Sequence, residues 1–108
     1  MIVVTTETIT GYRIEKTIGQ VFGVVVRSRG VAGNFMAGLR TITGGNVIEY
    51  EEMTEDSRRQ AVDRMAVNAT TMGGNAVVRM MFDSSELGET MSEIVAYGTA
   101  VVVVEEHA

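Results

Sequence analysis

Two hydrophobic periods divide this chain. From Tyr12 to Ile18 the side chains alternate, with Tyr12, Ile14, Lys16 and Ile18 on one face and Arg13, Glu15 and Thr17 on the other, which is the period of two that predicts a strand. The β-branched stretch 2–5 before it reads as a short first strand. Residues 21–26 continue as a valine-rich strand, with Gly19 and Gly23 placed as bulges or bends.

The period then changes. Asn34 is expected to cap a short helix in which Phe35, Leu39 and Ile42 would form an apolar stripe that ends at Gly44-Gly45. Asn46, with Glu49 three residues on, resembles a capping box opening a second, longer helix. Along it Tyr50, Met53, Ser57, Ala61, Met65, Ala69 and Met72 recur three or four apart on one face, whereas Glu51, Glu52, Glu55, Arg59 and Asp63 fall elsewhere. The small members Ser57, Ala61 and Ala69 permit close approach to a sheet. The helix stops at Gly73-Gly74, with Gly74 expected to carry the positive φ that reverses the chain.

A strand over 76–82 follows, with Ala76, Val78, Met80 and Phe82 on one side and Val77, Arg79 and Met81 on the other. Residues 83–90 read as a polar loop and 94–104 as the last and longest strand, apolar on both faces. The pattern therefore predicts an α+β fold, an antiparallel sheet with helices on one face, in a single domain spanning 1–108. Helices cover one face only, so the second apolar face of the last strand calls for another chain. The expected state is a homo-oligomer, with Val101 and Val103 at the contact.

Composition narrows the function classes. The chain has no cysteine, which removes disulfides, thiolate metal sites and thiol nucleophiles together. It also has no proline and no compositional break to mark a domain boundary. A net charge of -5, with eight arginines and Lys16 as the lone lysine, disfavours nucleic acid and anionic membranes as partners. The pairs Arg27 with Arg29 and Arg58 with Arg59 lack flanking aromatics for base stacking and read as solvated. The start lacks a signal-type segment and no aliphatic run is long enough to span a bilayer, so a cytoplasmic location is expected.

Several segments taken in order resemble one family. They are Thr5-Thr6, Gly19-x-Val21-x-Gly23, Asn34 through Arg40, Gly44-Gly45, Tyr50, then Arg58, Ala61, Met65 and Ala69, the turn Gly73-Gly74-Asn75-Ala76-Val77-Val78, and Gly98-Thr99-Ala100-Val101. In order and spacing they are similar to the YbjQ-like family, small bacterial and archaeal proteins that carry a heavy-metal-binding label. The resemblance implies a dodecin-like subunit assembled into a pentameric ring, with no established reaction. Two positions depart from the family pattern: Gly74 where the turn usually has alanine, and Arg79 where a small residue is common.

The label invites a metal site. Thiolate is absent and the one histidine, His107, is next to the C-terminal residue, so soft and borderline metals have few donors. Met80, Met81 and Met91 could offer thioethers, but methionine at such positions is ordinarily packing. The acids Glu49, Glu51, Glu52, Glu55 and Asp56 could hold a hard cation, although they lack calcium-loop spacing and suit a first helical turn without metal. Asp83, Glu86 and Glu89 form a second acidic group.

No catalytic constellation emerges, and no motif names a cofactor. Gly44-Gly45 precedes a helix, and its free amides beside Arg40 could hold an anion; a plain turn between helices is the simpler reading. Arg40, Gly44, Gly45 and Tyr50 are thus the candidate ligand-binding residues. Tyr50 and Tyr97 also suit a subunit boundary, since tyrosine joins apolar area to a hydroxyl. The sequence favours an oligomeric binding or scaffold protein with small sites between subunits, over a protein that binds metal through oxygen ligands.

Overall fold

The computed structural model describes residues 1–28, 48–88 and 91–107, with side chains described outside 48–53. Its elements are β1 (Ile2–Val3), β2 (Tyr12–Ser28), α1 (Ile48–Thr71), β3 (Ala76–Leu87) and β4 (Met91–Glu105). The short helix expected after Asn34, and the capping box at Asn46, lie outside the described residues.

One four-stranded sheet runs in the order β1-β3-β4-β2. β2 and β3 pair antiparallel with β4, and β1 lies parallel to β3. The sheet is therefore mixed, and with α1 on one face the fold is α+β. At roughly 3.3 Å per residue the 17-residue β2 spans about 56 Å, which accounts for the long dimension of 59 Å.

The helix lies mainly across β2 and β4, and its small-residue stripe is what faces them. Ser57, Ala61, Met65 and Ala69 are buried, together with Val21, Val25, Val77, Ile94, Ala96 and Ala100 on the sheet. Met72, the last member of the expected stripe, stays 41 % exposed because the helix has ended. Gly23 is not a bulge but the crossing point of helix and sheet. A Cβ there would sit 2.1 Å from Ala61 O and 2.3 Å from Met65 N, so only a bare Cα lets α1 come this close. Gly19 does sit at a register shift in β2.

The end of α1 differs in detail from the expectation. Gly73 has the positive φ, 96°, and donates to Thr70 O, while Gly74 donates to Ala69 O at 2.9 Å. This is a Schellman ending, with Gly73 at its left-handed position. Asn75 then joins the sheet through its side chain. Its Nδ2 donates to Val103 O at 2.9 Å, and its Oδ1 accepts from Val103 N at 2.7 Å.

Three expectations about the strands are corrected. β3 does not stop at Phe82 but continues through the polar residues 83–87, and the reversal falls at Gly88. The alternation along β3 is not continuous. A register shift between Val78 and Met81, with Arg79 at φ 54°, moves Val77, Met80 and Phe82 to the helix face and leaves Ala76 and Val78 on the other. The third correction concerns the far face of β4. Val101 and Val103 are 1 % and 4 % exposed within the single chain. They form a second core with Ala76 and Val78, packed by Ile2, Val4, Ile9 and Tyr12.

The N-terminal segment is held over this second core by backbone bonds. Val4 N donates to Val77 O, Met80 N to Val4 O and Arg79 N to Thr6 O. An ion pair between Arg79 and Glu7 adds to them. Another subunit is therefore not what covers Val101 and Val103.

Candidate functional site

Cover by the N-terminal segment reaches only one end of the far face. Cross-strand partners place Phe22, Tyr97 and Met81 in one row, and Val24, Val95 and Asp83 in the next, all on the side away from α1. Val26 opposes Glu93 beyond them. Phe22 is 49 % exposed, Val24 40 %, Val26 49 % and Met81 55 %. Leu87 and Met91, paired near the hairpin end, are also exposed. The Tyr97 hydroxyl contacts Met81 Sδ at 3.9 Å. Apolar side chains on adjacent strands thus form a continuous uncovered patch.

Beside that patch lies a groove of about 520 Å³ between the β2 edge and α1, lined by Phe22, Val24, Asp63, Arg64, Val67 and Asn68. Arg64 Nη1 donates to Val24 O, and Asn68 Nδ2 to Phe22 O, each at 2.7 Å.

On the helix side the charged groups are engaged with one another. Arg27 Nε donates to the buried Ser57 hydroxyl at 2.9 Å, and its Nη2 lies 3.5 Å from Asp56 Oδ2. The same Asp56 oxygen accepts from Gln60. Glu55 pairs with Arg59 at 3.6 Å, and the Arg58 guanidinium stacks over the Phe82 ring at 5.3 Å. Arg27 is thus built into the helix-sheet contact, whereas Arg58 stays exposed while stacking over Phe82. Phe82 is distant in sequence, so no reading of flanking residues could find it.

Arg40, Gly44 and Gly45, the anion-pocket candidates, lie outside the described residues, as does the side chain of Tyr50. So do the side chains of Glu49, Glu51 and Glu52. Tyr97 is placed in the uncovered patch. Met80 packs on the helix-side core, whereas Met81 is on the opposite face, so the methionines do not converge. Asp83 and Glu86, three apart on a regular strand, also point to opposite faces.

Among the described residues the donor chemistry does not fit a heavy metal ion. The whole chain has no thiolate, and His107 is exposed beside Glu105 at 3.6 Å. Glu55 and Asp56 already have cationic partners, and no group of three or more His, Cys, Asp or Glu converges among the described residues. No helix among them is long and apolar enough to cross a membrane.

A mixed sheet with one long helix, reversing through Gly73-Gly74-Asn75, defines the class of subunit to which this chain belongs. Residues 1–104 match the family model YbjQ_1, described as "Putative heavy-metal-binding", and the chain belongs to that family. A UPF0145 protein of Bradyrhizobium sp. is 64 % identical over 103 residues, covering 95 % of this chain and 93 % of that one. A UPF0145 protein of Methanocella arvoryzae is 52 % identical over 108 residues, covering 100 % and 90 %. In fold, the chain is similar to the crystal structure of a DUF74-family protein of unknown function from Pediococcus pentosaceus. That match has a TM-score of 0.67 at 13 % identity and covers 96 % of this chain and 98 % of that one.

Proposed function

We propose that this protein is a binding or scaffold subunit that works as a closed homo-oligomer, with neighbouring copies covering the patch around Phe22, Val24, Val26, Met81 and Tyr97. The observation that carries this reading is the uncovered half of the far sheet face. Burying even half of its exposed area is worth several kcal/mol per subunit at roughly 25 cal/mol per Å². The elongated shape supports it as well. The radius of gyration is 17.5 Å, against roughly 13 Å for a compact domain of this length. A ring closes such contacts without growing into fibres, and the resemblance supplies five as the number of subunits. Ligands of such a ring would be small molecules or ions held between subunits.

Light scattering after size exclusion tests the assembly. Wild type is expected as one defined oligomer, and Val24→Glu as a folded species of lower mass. A wild-type chain that runs as a stable monomer at micromolar concentration overturns the proposal.

A second reading takes up the metal in the family description and places it on the acidic residues near the start of α1, as a divalent cation held by oxygen donors. Calorimetric titration with Mg²⁺, Mn²⁺, Ca²⁺ and Zn²⁺ decides it. Heat that disappears on changing Glu51, Glu52 and Glu55 to glutamine supports the site, and no heat at millimolar metal ends it.

A further inference from the structure

Among the described residues β2 is an edge strand, 17 residues in length and long enough to template addition of another strand. Which of its backbone groups point outward follows from β4. Val103 N and O, and Val101 O, bond to Asn75 and so face β3. Alternate residues of β4, among them Ile94, Ala96 and Gly98, therefore face β2. Their partners Val25, Gly23 and Val21 use their backbone groups inside the sheet. Phe22 and Val24, lying between these, direct theirs outward.

These are the two carbonyls that α1 reaches. Arg64 caps Val24 O and Asn68 caps Phe22 O. The spacing is a match of two repeats: four helical residues rise about 6.0 Å, and two strand residues about 6.8 Å. An antiparallel helix thus meets outward carbonyls with every fourth side chain. One turn earlier the series reaches Gln60, whose amide is given to Asp56 instead, and one turn later Met72, which has no donor. An incoming strand must donate to these same carbonyls in order to pair.

We propose that Arg64 and Asn68 are edge guards: they occupy two successive outward carbonyls of β2, those of Val24 and Phe22, and so interrupt the edge at its middle against a second copy of this chain adding there as a strand. The proposal does not require the oligomer suggested above, because the two capped carbonyls belong to the single subunit.

The test is the double variant Arg64→Ala with Asn68→Ala, compared with Arg64→Lys with Asn68→Gln, which keeps both donors. Both positions are exposed and alanine favours helix, so the fold should survive. The alanine pair is expected to lose the wild-type size-exclusion peak over time to growing species with an intermolecular β-sheet infrared band. Its helical circular dichroism should be retained, and the donor-keeping pair should stay at wild-type size. Three results overturn the inference: an alanine pair that stays at wild-type size, growth that accompanies loss of helix signal, or equal growth of both variants.

Discussion

The two ends of the far sheet face have the same kind of sequence and different fates. At one end Ala76, Val78, Val101 and Val103 are sealed by Ile2, Val4, Ile9 and Tyr12 of the same chain. At the other, Phe22, Val24, Val26 and Met81 lie open. All are apolar residues on strands. What separates them is a tether: backbone bonds from Val4 and Thr6 to β3 bring the N-terminal segment over one end and no further. Apolar alternation therefore says that a face will be covered, but not by what.

Glutamate placed at each end should separate the two most sharply. Val101→Glu puts a carboxylate into a position 1 % exposed and is expected to cost about 3–5 kcal/mol, as an uncompensated buried charge does. That is a large share of the stability of a small domain, so the chain itself should unfold at much lower urea. Val24→Glu should shift the unfolding midpoint of an isolated subunit very little. If the two variants unfold alike in urea monitored by circular dichroism, the distinction between self-covered and open ends fails.

A smaller effect is expected at Asn75, whose side chain stands in for a strand residue beside Val103. Asn75→Ala leaves a part-buried N–H and C=O without that partner and should cost about 1–2 kcal/mol. Amide exchange should locate the loss: faster at Val103 and along the N-terminal segment, unchanged at Ile94 and Ala96. Uniform acceleration would mean that the covered end is not a separately held unit.

The smallest effect concerns Arg79, which takes a left-handed backbone at the β3 bulge. Arg79→Gly relieves that backbone, but gives up an exposed ion pair and gains chain entropy, and should fall within about 0.5 kcal/mol of wild type. Arg79→Val asks a β-branched residue to hold the same φ and should cost about 1–2 kcal/mol. Equal stability of the two in urea would show that the bulge does not depend on its backbone angle.

Much of this architecture was legible in residue order. The strand from Tyr12, the helix stripe through Ser57, Ala61, Met65 and Ala69, and the reversal at Gly73-Gly74 follow from period and turn chemistry. The extension of β3 through 83–87 was not, because those residues are polar on both faces and owe their strand state to pairing with β4. Nor was the cover over Val101, which depends on where the N-terminal segment lands. The candidates Arg40, Gly44 and Gly45 lie outside the described residues. Arg64 and Asn68 gave no local signal at all. Their role rests on an antiparallel register between α1 and β2, a tertiary relation that no window of sequence contains.

Gly23 carries a consequence for how this chain can change over time. Every single-base change of a glycine codon that yields another amino acid adds a Cβ, and here a Cβ meets the backbone of Ala61 and Met65 rather than a side chain that could swing aside. No one-step replacement is free of that collision. Relatives that keep this helix-to-sheet distance must keep glycine at the crossing, and lineages that lose it must first have moved the helix.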